Sequence, residues 1–272
     1  MIGVELVKLV RSRRTWVTIA LIDALPTLVA VLLALTDLGP RPGTGPAFLS
    51  TVLTDGTLFP LAALGIVLPL FLPIAVAVTA GEAIAGEGQQ GTLRYLLVRP
   101  VGRTRLLVAK LVAVMAFVVL TILVVAVTAY VLGVLLLGNE RVSATGAASV
   151  SGSSMSSSEL VGRTLLALGY AIVCMLGVAA VALFLSTVAE SPLAAALGTM
   201  ALLVASTLLL TIDAAGPLQP YLPTRYWLAF VDLFRDPILW RDVVRGVLLQ
   251  AAYVVVFLGA GWANFMTKDI TD

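Results

Sequence analysis

The sequence predicts an all-α integral membrane protein with six transmembrane helices, and three observations predict it. Of its 272 residues, 60% are apolar and only 12% charged, about half the ~25% charge of a soluble domain. A water-soluble chain of this length could not hide so much apolar surface. The excess is gathered into six long stretches, each able to cross a hydrocarbon core about 30 Å thick with roughly 20 helical residues. None alternates as a barrel strand would: residues 106–127 read LLVAKLVAVMAFVVLTILVVAV, without the apolar–polar dyad that barrel strands keep over about ten positions.

The elements follow in order. Residues 1–14, MIGVELVKLVRSRR, place Ile2, Leu6, Leu9 and Val10 at helical spacing, with Glu5, Lys8 and Arg11 between them. That pattern predicts an amphipathic helix lying in the membrane interface. An uncleaved signal anchor is the alternative; a cleavable signal is not expected. Spans are expected at 16–36, 57–80, 106–137, 161–188, 192–212 and 243–263. The third exceeds a perpendicular crossing, so it should tilt or project. Residues 81–105 form the loop between spans two and three. Residues 145–158, rich in Ser and Gly, have nothing to bury and are expected to be flexible. The loop 213–242 carries Tyr221, Tyr226, Trp227, Phe230, Phe234 and Trp240, aromatics suited to the membrane–water boundary. Short amphipathic outer helices are expected there. No internal repeat is evident.

Basic residues set the orientation. Lys8, Arg11, Arg13 and Arg14 precede span one, and Arg94, Arg99, Arg103, Arg105 and Lys110 lie between spans two and three. These regions must share a side, which is therefore expected to be cytoplasmic, with both termini on it. Arg225, Arg235, Arg241 and Arg245, on or beside the 213–242 loop, argue the other way. Asp213, Asp232, Asp236 and Asp242 accompany them, but acidic residues weigh little in this rule.

Several functions are excluded. The chain has no histidine, so Ser-His-Asp catalysis and His-ligated zinc or haem are absent and no metal site is expected. Cys174 sits in an apolar run and reads as a small packed hydrophobe. A formal charge of +2 is too small to imply a nucleic-acid partner. All but three of the 17 basic residues are Arg, the exceptions being Lys8, Lys110 and Lys268, a bias that points to a bacterial source. The glycines from Gly86 to Gly91, followed by Thr92, are spaced as in a phosphate-binding P-loop. The lysine that reaches the phosphates is missing, and a membrane span precedes them instead of a strand. This chain is expected to have no nucleotide site of its own.

Inside the spans, two kinds of residue stand out. Pro60, Pro69 and Pro73 fall in span two, where each removes a backbone donor and can bend the helix; Pro69 and Pro73 are candidate gating residues. Asp23 is a carboxylate well inside span one, a costly position that usually faces a protein interior or water. It lines a transport pathway, or lies near the inner interface, or bonds to Thr18, Thr27 or a neighbouring helix. In the 81–105 loop, Leu93, Leu96 and Leu97 recur at helical spacing between Gly91 and Pro100, a short helix with one apolar face. Arg94, Arg99, Arg103 and Arg105 rim it. Two readings remain open: a protein-docking knob, or a lipid-hugging loop whose arginines fix topology.

From Glu82 to Lys110 the chain reads EAIAGEGQQGTLRYLLVRPVGRTRLLVAK. This resembles the cytoplasmic loop of permease subunits of the type-2 ABC transporter family. Its pattern matches at Glu87, Gly91, Thr92, Leu93, Leu96, Leu97, Pro100, Arg103 and Lys110, and departs where Gln89 or Gln90 replaces a second acidic residue. The resemblance implies that Glu87, Gly91 to Leu93, Leu96, Leu97, Pro100 and Arg103 dock a separate cytoplasmic ABC ATPase through a short coupling helix. It implies that ATP and Mg are bound by that ATPase, with no cofactor in this chain. It further implies pairing with a second copy or a related permease, in a bacterial plasma membrane, and export of a lipophilic or amphipathic compound. An ion-gradient-driven secondary transporter is the alternative. It would need ionisable residues at the membrane midplane and paired inverted halves, and Asp23 is the only carboxylate well inside a span. An intramembrane hydrolase has little chemistry to work with here.

Overall fold

The computed structural model describes residues 2–36, 56–89, 102–137, 147–148 and 154–267. Eight α-helices can be followed among them: α1 (Ile2–Arg11), α2 (Arg13–Leu35), α3 (Phe59–Val67), α4 (Phe71–Gln89), α5 (Arg103–Leu132), α6 (Ser157–Val188), α7 (Pro192–Leu209) and α8 (Trp240–Thr267). Six of them, α2 and α4 to α8, are long and apolar enough to cross a membrane. The chain is a multi-pass, all-helical membrane protein, as its composition predicts.

The starts of the helices are legible in residue chemistry. The Ser156 hydroxyl accepts from the Glu159 amide at 3.3 Å, and Ser191 from the Ala194 amide at 3.2 Å with Pro192 at the first helical position. Each hydroxyl satisfies a donor that the first turn leaves open. Ser156, Ser157 and Ser158 thus belong to the capped start of α6. The remainder of the 145–158 segment, apart from the antiparallel pairing of Ala147–Ala148 with Ser154–Met155, lies outside the described residues.

Span two is not one helix. A turn at 68–70 separates α3 from α4, and the prolines explain it. Pro69 cannot donate to Gly65 and Pro73 cannot donate to Pro69, so two rungs of the ladder, one turn apart, are missing. Pro73 instead occupies the first turn of α4, where a missing donor costs nothing. From Phe71 to Gly81, before Glu82, α4 has an apolar length of about 16 Å at 1.5 Å per residue. The nine residues of α3 add about 13 Å. Together the two complete one crossing, and nearly every residue of α3 is buried, so the interrupted backbone is sheathed by protein and not by lipid.

Helix α6 is the central spine, packed against α4, α5, α7, α8 and the 227–234 turn. Small residues let its neighbours approach closely. A Cβ on Gly81 would sit 3.1 Å from the Pro192 carbonyl and 3.2 Å from the Ala196 amide, and one on Gly261 would lie 3.3 Å from the Phe184 Cα. Helices α2, α7 and α8 lie at the periphery and are the least covered.

The 213–242 loop forms short helices between spans five and six, and most of their aromatics are buried in the bundle. It folds as three 3-10 turns, Asp213–Ala215, Gln219–Tyr221 and Trp227–Phe234, and Trp227, Phe230, Leu233 and Phe234 are buried in the bundle. Of the loop's six aromatics, only Tyr221 and Trp240 keep large exposed faces. The reason is a set of polar anchors beneath the loop. Buried Arg163 of α6 donates to the carbonyls of Leu233 and Arg235 at 3.2 and 2.8 Å while pairing with Glu159. Gln250 of α8 donates to the Pro223 carbonyl at 2.8 Å, and the Tyr170 hydroxyl to the Tyr226 carbonyl at 2.6 Å. The loop is a plug held from inside.

Candidate functional site

At the end of the bundle opposite that plug, helix ends converge around one lysine. Lys110 lies two turns into α5 and is 5% exposed. Its ammonium pairs with Glu87, in the last turn of α4, and at 3.2 Å with Glu5 of α1. Three segments far apart in sequence are thereby joined: the interfacial helix, the end of span two and the start of span three. A buried ammonium is tolerated only when paired and hydrogen-bonded, and here two carboxylates supply that.

A second pair lies beside it. Arg14, at the start of α2, grips Glu82 of α4 with two bonds of 2.8 and 2.7 Å. Both side chains are substantially exposed, so this bond orients more than it stabilises. The kink between α1 and α2 at Ser12 is bridged by the Trp16 indole, which donates to the Val10 carbonyl at 2.8 Å. Deeper, the Ser186 hydroxyl of α6 donates to the Gly81 carbonyl and accepts from the amides of Ile84 and Ala85, at 2.7, 3.1 and 2.9 Å. One small hydroxyl thus clamps the loop-side half of α4 to the spine.

Arg103 begins α5 and reaches across to the end of α8, donating to the carbonyls of Phe265 and Met266 at 3.0 and 2.8 Å. Among the described residues those carbonyls have no intrahelical partner, and a cation beside the last described turn of α8 is favourably placed toward the negative end of the helix dipole. Trp262 donates to Thr104 at 2.9 Å in the same contact. The residues expected to dock an ATPase therefore divide. Glu87 and Arg103 frame the segment from both sides and fasten it to the bundle, whereas Gly91, Thr92, Leu93, Leu96, Leu97 and Pro100 lie outside the described residues.

Asp23 accepts from Thr128 of α5 at 2.7 Å. Of the partners the sequence left open, the neighbouring helix is the one found; Thr18 and Thr27 are not. Pro69 lies in the turn between α3 and α4, exposed, while Pro73 is buried.

Two members of the site escaped the sequence reading. Glu5 counted among the polar positions of an amphipathic helix, yet it is half-buried and faces the bundle with Leu6 and Leu9, while Ile2 and Val10 are exposed. The spacing Glu5, Leu9, Ser12 marks the inward stripe, but only the position of Lys110 makes it readable. Glu82 gave no sign of its Arg14 partner, 68 positions away.

The family model described as ABC-2 family transporter protein matches residues 1–206, well over half of the chain. The chain belongs to that family: it is a permease, the membrane-embedded kind of component in an ABC transporter. The match takes in the whole Glu5–Glu87–Lys110 cluster and ends before the 213–242 plug and α8. Permeases of this family generally work with a cytoplasmic ATPase subunit. No curated protein matches the chain.

Proposed function

We propose that this permease is half of an exporter in a bacterial plasma membrane, carrying a lipophilic or amphipathic compound outward with energy from a separate ATPase. In this reading both termini and residues 81–105 are cytoplasmic, and the 213–242 plug is external. The chain binds no cofactor itself; ATP and Mg belong to the ATPase. A second copy, or a related permease, completes the translocation unit. The observation that carries the reading is the Lys110 cluster. It locks both flanks of the 90–101 segment to α1, so a push delivered there is transmitted to the bundle instead of being lost in a slack loop.

Gly91, Thr92, Leu93, Leu96, Leu97 and Pro100 form the docking knob of this proposal, with Glu87 and Arg103 as its abutments. Asp23, Pro69 and Pro73 are assigned to the moving part: the first bonds α2 to α5, and the prolines divide span two into halves that can pivot. Burying one apolar side chain at a docking surface contributes about 1.5–3 kcal/mol, whereas a rim arginine in high dielectric contributes about 0–1 kcal/mol. Leu96→Asp or Leu97→Asp should therefore detach or uncouple the ATPase, and Arg105→Ala should act mildly. The two proteins are purified together from membranes, and ATPase co-elution and substrate-stimulated turnover are compared. Full assembly and coupled transport in both leucine variants would overturn the docking assignment.

A further inference from the structure

Between α1, α2, α4 and α5 lies a cleft of about 930 Å³, and the polar cluster closes only one end of it. Its two ends differ in chemistry. The end nearest α1 presents Lys8, Ser12, Thr15 and Thr18, beside the Lys110 and Arg14 pairs. Beyond Thr18 and Thr79 no lining residue has a polar side chain, and the walls are Leu21, Ile74, Val78, Phe117 and their apolar neighbours. Leu21, Ile74 and Val78 are exposed, so the cleft is open along its side to whatever surrounds the protein there. In a membrane that surrounding is lipid.

Charge decides what fits the polar end. Glu5 is held by Lys110, and Glu82 by Arg14. Lys8 also lines the cleft, is exposed, and has no ion pair among the described residues. An ammonium beside three hydroxyls, each of which can turn its O–H toward a ligand, suits an anion. Length decides what fits the apolar end. From Glu82 to Phe71 the cleft wall runs along α4 for about 16 Å, close to half of a hydrocarbon core of about 30 Å. A peptide would bring backbone groups to walls that cannot satisfy them; an acyl chain brings none. We propose that the cleft holds one anionic phospholipid from the leaflet on which α1 lies. Its phosphate sits at Lys8, Ser12 and Thr15, and one chain runs along Leu21, Ile74 and Val78. This lipid is a resident part of the permease, wedged between the interfacial helix and the three spans it packs against, and distinct from any cargo.

The experiment reconstitutes the full chain in vesicles of equal parts phosphatidylglycerol and phosphatidylcholine, extracts it in mild detergent, and counts retained lipids by native mass spectrometry. One phosphatidylglycerol per chain should persist in preference to phosphatidylcholine. Lys8→Ser should lower that retention roughly tenfold or more, the loss of one hydrogen bond to a charged group. Arg13→Ser removes the same charge from the same face of the protein but from a residue that does not line the cleft, and should leave retention unchanged. Val78→Trp should displace the lipid by filling its chain site; Leu21→Trp serves the same purpose if that variant fails to fold. Melting in phosphatidylcholine alone shows that each variant is folded. Equal retention of the two lipids, no retained lipid, or parallel losses in the Lys8 and Arg13 variants would overturn the proposal, the last because it would mean diffuse attraction to the basic face.

Discussion

Lys110 carries its ammonium to a place from which water is nearly excluded, and its two carboxylates make that tolerable. Removing one member of a buried ion pair strands the rest, at a cost of about 3–5 kcal/mol. Lys110→Met should therefore lower the melting temperature sharply in detergent, since it removes the one cation with which both Glu5 and Glu87 are seen to pair. Lys110→Met combined with Glu87→Gln should recover part of the loss. If the double variant is no more stable than the single, the carboxylate is not what Lys110 neutralises. The lysine itself was legible, because it stands at a recognisable place at the entry to span three. Its partner Glu5 was not, because helical periodicity tells which residues share a face but not which face is inward. Asp23 makes the same point. Its depth marked it from the sequence, and its bond to Thr128, 105 positions on, could only come from the packing of α2 on α5. Asp23→Asn keeps an acceptor for Thr128 and should leave expression and ATPase assembly intact while reducing transport. Loss of folded protein would instead assign Asp23 a purely structural bond.

At the scale of elements, the six apolar stretches foretold the six spans, since length and hydropathy are one-dimensional properties. The division of span two was half legible: the prolines announced a bend, but three of them could not say where it fell. The turn lies at Pro69, because Pro60 is absorbed at the start of α3 and Pro73 at the start of α4. The burial of the plug's aromatics was not legible, for a physical reason. Aromatic residues near a span end suit the membrane boundary and a protein interior equally well, and the buried carbonyl-holding side chains that choose between them, Arg163 on α6 and Gln250 on α8, carry no mark in the sequence of what they will hold. Arg163→Met should release the plug. Each hydrogen bond from a charged donor contributes about 1.5–3 kcal/mol, so residues 213–239 should become the first site of limited proteolysis and the melting temperature should fall. Unchanged protease resistance would show that the buried aromatics hold the loop unaided. Gly81→Leu should separate α4 from α7, since its side chain would meet backbone at 3.1 Å; loss of a disulfide engineered between those helices is the readout.

For the whole molecule, the contacts at the two ends settle which loops share a side. Arg14–Glu82, Lys110–Glu87 and Arg103–Phe265 bring both ends of the described chain to the face that bears Glu87, and the plug to the opposite face. The four arginines of the 213–242 region, which argued against this arrangement in the sequence, include Arg225, bonded to Gln219, and Arg235 and Arg245, paired with Asp232 and Asp242. Such local pairing lessens their weight as topology signals. On the proposed orientation, Ala214→Cys should react with a membrane-impermeant thiol reagent in intact cells, on a background with Cys174 replaced, and Gln89→Cys should react only after permeabilisation. The reverse pattern would invert the protein.

Helix α4 is the least apolar of the six spans, and more than half of its most apolar stretch is buried inside the protein. Lipid alone therefore gives it little reason to stay where it is. Its partners α6 and α7 are synthesised 70 to 100 residues later, so during translation α4 must wait, weakly inserted, for the helices that will shelter it. A chain stopped at residue 140 should leave α4 in equilibrium with the aqueous face, and a glycosylation acceptor placed beyond α3 would then be modified in only part of the molecules. Extending the same chain through α7 should make its placement uniform, and assembly of this permease would be governed by the arrival of its central spine.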